Sequence, residues 1–136
     1  MSTEMTDDNF AGMSPEQKVK ALVLLSLREI DDVSAINTQT VDELYDAFDH
    51  EDQKEEIREG HVKTDIRPPF NPDYESHSVA GQLPDGSWVG WTYWFGGGTN
   101  GTPWELPWMK EAYHVDAKEE QKMVTVRTFA RAAVAA

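Results

Sequence analysis

The chain has 136 residues, 39% of them hydrophobic and 27% charged, which is enough apolar content for one folded domain without a metal or disulfide staple. It contains no cysteine, which excludes disulfides, thiolate metal sites and cysteine nucleophiles and fits a reducing compartment such as the cytoplasm. The net charge is -13, and residues 29–59 alone hold twelve acidic residues against two basic ones, a local negative surface that repels nucleic acid and anionic lipid and attracts basic protein faces.

Residues 1–12 are polar and aperiodic, lack the basic-then-apolar order of a secretory signal, and are expected to form a disordered tail. Ser14, Pro15 and Gln17 then read as N-cap, first-turn proline and capping-box partner of a helix reaching about Ile30, with Val19, Leu22, Val23, Leu27 and Ile30 as its buried stripe. The longest apolar run, residues 21–25, is far short of the roughly 20 residues that cross a bilayer. Thr40 and Glu43 form a second capping box, and Val41, Leu44, Tyr45 and Phe48 give the apolar face of the helix it opens. Beyond Asp49 the pattern is almost wholly polar to Glu59, as a solvated extension or a separate short helix, with Gly60 as its stop.

From His61 onward the period changes. Val62, Thr64 and Ile66 alternate up to Pro68-Pro69, and residues 78–83 and 87–95 flank Pro84-Asp85-Gly86 as a β-hairpin. A glycine-rich loop follows, then a short helix over residues 107–114, a last strand over residues 122–129 and an alanine-rich end. Helices followed by antiparallel strands predict a single α+β domain over residues 13–136, with N-terminal helices over 13–60 packed on a small, mainly β second part over 61–136.

Within the acidic stretch, Asp42, Asp46 and Asp49 are spaced i, i+4, i+7, and so are Asp52, Glu56 and Glu59. On a helix each trio faces one way, and like charges about one turn apart cost a few tenths of a kcal/mol per pair. Such a row is either a solvated face that keeps the protein soluble or a set of anions spaced as on a nucleic-acid backbone, able to occupy a groove lined by Lys and Arg. In its size, its lack of cysteine and its acidic residues between 42 and 59, the chain resembles phage-encoded anti-defence proteins, some of which mimic DNA to inhibit restriction or CRISPR machinery. The resemblance lies in composition and implies a cytoplasmic inhibitor in a host cell.

The leading expectation is a non-enzymatic protein that binds a basic, nucleic-acid-binding partner. Its anionic contacts are Asp42, Asp46, Asp49, Glu51, Asp52, Glu55, Glu56 and Glu59, with Tyr74 and Trp104 as aromatic anchors. No cofactor, metal or catalytic residue is expected on this reading, and no direct contact with nucleic acid or membrane.

The alternatives are a small hydrolase or metal-dependent enzyme and an aromatic ligand-binding module. The first would use His61, His77 or His114 near the glycine-rich loop, although no H-E-x-x-H or nucleophile signature is present. Gly96, Gly98 and Gly101 match G-x-G-x-x-G after a strand, but Pro103 and Pro107 interrupt the helix that a dinucleotide site needs, so a contact loop is the better reading. The second would use the window that holds all five tryptophans, Trp88, Trp91, Trp94, Trp104 and Trp108, whose bulk on both faces of one strand reads first as core.

Overall fold

The computed structural model describes residues 8–118 and 123–132. The first element, α1 (Asp8–Ala11), carries the buried Phe10, so the expected tail of residues 1–12 is corrected at its end, where an aromatic anchor docks on the core; residues 1–7 lie outside the described residues. The capping box at α2 (Pro15–Leu25) forms as expected: the Gln17 amide N–H donates to Ser14 Oγ and the Ser14 amide to Gln17 Oε1. α2 stops before Ile30 because Ser26 Oγ donates back to the Val23 carbonyl at 2.6 Å, a side-chain bond that competes with helix propagation. Leu27 is nevertheless buried, just beyond the helix end.

The acidic segment is two helices, α3 (Val41–Ala47) and α4 (Glu51–Arg58), separated where Phe48 adopts an extended conformation. The second capping box does not form. Asn37 Oδ1 takes the amides of Gln39 and Thr40, while Thr40 Oγ1 accepts from the Asn37 amide and donates to the Ala35 carbonyl, so the hydroxyl is already committed.

Four antiparallel strands follow in the order β1 (Val62–Lys63), β2 (Glu75–Gln82), β3 (Trp88–Phe95) and β4 (Tyr113–Val115). The β2–β3 hairpin runs in register from Glu75 opposite Phe95 to Gln82 opposite Trp88, closed by Leu83 N–H to the Ser87 carbonyl and Gly86 N–H to the Leu83 carbonyl. β1 is shorter than the alternation over His61–Arg67 suggested, because the Ile66 amide donates to Thr64 Oγ1 and turns the chain before Pro68. The helix expected over residues 107–114 is only a turn, with Glu111 N–H to the Pro107 carbonyl. The β-formers Tyr113 and Val115 instead pair with β3, where Gly90 leaves room for their side chains. The strand expected over residues 122–129 is absent from 123–129, which have no ladder partner; Lys122 lies outside the described residues.

α2 supplies Val19, Leu22, Val23 and Leu24 to one core together with Val41 and Tyr45 of α3, Ile57 of α4, Val79, Val89 and Trp91 of the sheet, and Trp108 and Met109 of the loop before β4. The rings of Trp91 and Trp108 lie 5.8 Å apart in a tilted pair. The fold is α+β, and among the described residues no helix is long and apolar enough to cross a membrane.

Gly60 sits at φ 82° directly after α4, and a Cβ there would stand 2.5 Å from Val79 Cβ. Gly86, in the hairpin turn, has φ 91° with open space around it. Gly60→Ala therefore combines backbone strain with a clash in the core and is expected to cost about 2–4 kcal/mol, against about 1 kcal/mol for Gly86→Ala, in urea denaturation. Equal losses at the two positions would show that Val79 yields freely.

Candidate acidic interface

At 100° per residue, the five carboxylates of α4 and its C-cap, Glu51, Asp52, Glu55, Glu56 and Glu59, fall within an arc of about 140°. All five are exposed, while Ile57 and Arg58 point into the protein. On α3, Asp42, Glu43 and Asp46 occupy about 100° of the solvent side, opposite Val41 and Tyr45. Asp49 is exposed in the break between the helices. The break separates Asp49 from the helical trio expected with Asp42 and Asp46, whereas Asp52, Glu56 and Glu59 keep their common side.

Two of these anions are already matched. Asp42 accepts from Lys20 Nζ at 3.0 Å and Gln17 Nε2 at 3.1 Å, and these bonds, Lys20 first, hold its carboxyl below the usual aspartate range. Glu55 accepts from Arg58 Nε at 3.2 Å. Among the described residues, Glu43, Asp46, Asp49, Glu51, Asp52, Glu56 and Glu59 form no ion pair.

Sequence reasoning missed the part played by Arg58. Its side chain is buried, donates from Nη1 to the Trp94 carbonyl at 2.7 Å and stacks its guanidinium 4.9 Å from the Tyr93 ring centroid, while its own carbonyl accepts from Trp91 Nε1 at 2.8 Å. One cation thus fixes α4 to the central strand and neutralises only Glu55 of its outer face. The signal in the sequence was its spacing one residue after the apolar Ile57 on an otherwise polar helix.

Trp104 is 48% exposed, in a 3-10 turn (Pro103–Glu105), and stands beside α4. With His50, Glu51, Lys54 and Glu55 it lines an open groove of about 450 Å³. A second depression runs from Trp104 past Tyr45, Lys20 and Lys54 to Lys110. An exposed indole bordered by carboxylates is suited to the flat, weakly hydrated guanidinium of an arginine, or to a lysine stem. Lys54 at the same groove opposes that charge, which leaves Glu51 as the unpaired anion lining the groove with Trp104. Tyr74, the other expected anchor, has a structural task instead: it packs on the core, its hydroxyl accepts from the Thr102 amide, and its ring leaves no space for a side chain at Gly97. The glycine-rich loop, with Gly96, Gly97 and Gly98 at positive φ, is held by that contact.

The histidines are dispersed over the fold. His50 stacks on Tyr45 at 3.9 Å, His61 Nδ1 accepts from the Gln82 amide, His77 lies against Phe95 and His114 is on β4. Among the described residues no three His, Asp or Glu side chains group as metal ligands. Trp91, Trp94 and Trp108 are core, and Trp88 is half-buried. Neither the family models, nor the curated proteins, nor the solved structures contain a match to this chain.

Burial, with smaller contributions from Asp46 and Glu16, pushes the Tyr45 phenol up to about 12. The folded state therefore holds that proton more tightly than the unfolded state, whose tyrosine titrates near 10. The associated stability is complete below about pH 10 and is lost as pH rises toward 12. Tyr45→Phe is expected to lose less stability than the parent over that window in denaturant titrations. Parallel curves would show that the phenol is solvated.

Proposed function

We propose that this protein is a non-enzymatic binding protein whose α3–α4 surface occupies a basic face of a partner protein, of the kind that otherwise holds nucleic-acid phosphates. The observation that carries this reading is the single outward arc of α4 carboxylates, rigidly mounted through Arg58 and left without counter-ions except at Glu55. Such an array concentrates negative potential over one face, attracts Lys- and Arg-rich surfaces and accelerates encounter with them. Trp104 beside the array offers the desolvated contact that charge alone does not provide. The partner class is the nucleic-acid-handling machinery targeted by the acidic anti-defence inhibitors that the chain resembles in composition. The site of action on this reading is the cytoplasm of the cell that contains the partner.

Reversing Asp46, Asp49, Asp52 and Glu56 to lysine removes four exposed anions and touches no core contact. Immobilised parent protein is expected to capture a basic nucleic-acid-binding protein from cell extract at low salt and to release it as ionic strength rises. The fourfold lysine variant should capture none while keeping the parent's circular dichroism and urea midpoint. Undiminished capture by that variant would remove the acidic surface from the account. Trp104→Ala is expected to weaken binding about tenfold or more, mainly through faster dissociation in surface plasmon resonance.

A further inference from the structure

Residues 123–132 run without hydrogen-bonded structure and fully in solvent: Met123 is 103% exposed, Val126 82% and Phe129 89%. Residues 123–129, Met-Val-Thr-Val-Arg-Thr-Phe, have the composition of a strand, with four β-branched residues, a terminal aromatic, and no glycine, proline or acid. Alternation puts Val124, Val126 and Thr128 on one side and Met123, Thr125, Arg127 and Phe129 on the other. A strand-forming segment in this state lacks only a ladder to join.

The sheet offers one. β1 is an outer strand of two residues, and among the described residues nothing pairs with its far edge. Val62 and Ile66 beside that edge are 46% and 41% exposed. They open onto a groove of about 370 Å³ that crosses Ala80 and Trp88 to Val115 and residues 116–118. The charge is compatible as well. Residues 123–132 carry Arg127 and Arg131 and no acid, in a chain of net charge -13. The groove itself is charge-balanced, with Lys63 and Lys118 against Asp65 and Asp116, so it does not repel a segment whose sign is opposite to that of the body as a whole. In the single chain the segment leaves both sheet edges open. Residues 116–118 already lie along the groove, so the reach from Lys118 to Met123 comes from residues 119–122, about 16 Å when extended, enough to reach a second copy packed at this edge.

We propose that residues 123–129 form an exchanged β-strand that pairs with the outer edge of β1 in a second copy of this chain. The exchange is reciprocal, so the assembly closes as a two-fold dimer, and it covers Val62, Ile66 and the groove beside them. Each dimer displays two acidic faces.

Light scattering on the purified full chain is expected to give twice the 15.4 kDa chain mass. Val126→Pro, which removes a ladder donor from an exposed position, should return the mass to that of one chain without changing the circular dichroism of the body. The absence of native cysteine permits a direct test of the pairing. Val62→Cys protein mixed with Val126→Cys protein should form a disulfide between chains on mild oxidation, and the double variant should also cross-link as a dimer. A monomeric parent, a dimer indifferent to Val126→Pro, or cross-linking of the double variant only within one chain would each overturn the exchange, the last by placing the strand on its own sheet.

Discussion

Arg58 is the joint on which the acidic surface depends. A buried guanidinium costs several kcal/mol unless its donors are satisfied and its charge is answered, and here a carbonyl of β3, an aromatic face and one carboxylate do both. Its backbone carbonyl receives the indole N–H of Trp91, a fully buried tryptophan of the core, so α4 is pinned from two directions by one residue. α4 has only eight residues and a single buried aliphatic side chain, Ile57, and such a helix is marginal alone. The outward display of carboxylates is possible because helix stability comes from this anchor rather than from charge pairing along the helix.

Charge placement along α4 is consistent with that division. Glu51 and Asp52 lie in the first turn, where the helix dipole favours anions by a few tenths of a kcal/mol. Glu56 and Glu59 lie at the opposite end, where the same dipole disfavours them, and Arg58 is the only basic residue of the last turn. Optimising stability alone would place lysines at that end. The retained anions are small penalties in a fold whose core is built elsewhere, the kind of local conflict expected where a surface has a task beyond folding.

The β-hairpin and the α2 capping box were legible because their signals are local: Ser14 and Gln17 satisfy one another within a single turn, and Pro84-Asp85-Gly86 sits between two β-rich runs, although β2 begins at Glu75, three residues before the run the sequence marks. The break between α3 and α4 was legible only as one of two readings, a separate short helix against a solvated extension, because nothing at Phe48 forbids helix; in the structure the chain turns where Tyr45 is buried and His50 stacks upon it. Thr40 misled for a related reason, since a capping pattern reads correctly only if no nearer group claims the hydroxyl, and Asn37 does. Of the expected interface, Trp104 and the α4 carboxylates were brought together by a loop closure that no spacing rule encodes. Tyr74 looked like Trp104 in sequence, but its hydroxyl found a loop amide.

A surface that relies on charge for attraction still needs a reason to hold. Exposed carboxylates interact weakly through water, about 0–1 kcal/mol per pair, and are screened over roughly 8 Å at physiological salt. On the proposed reading, seven such anions guide a basic partner inward yet do not fix one orientation. The groove beside Trp104 differs because a guanidinium laid on the indole is partly desolvated, so its attraction to Glu51 acts at lower dielectric and in one geometry. Mounting Glu51 on α4 and the indole on the 3-10 turn across the groove means that neither must be ordered on binding, which keeps the entropic cost of association low. On the proposed reading, then, the arc sets how quickly a partner arrives and the aromatic groove sets how long it stays.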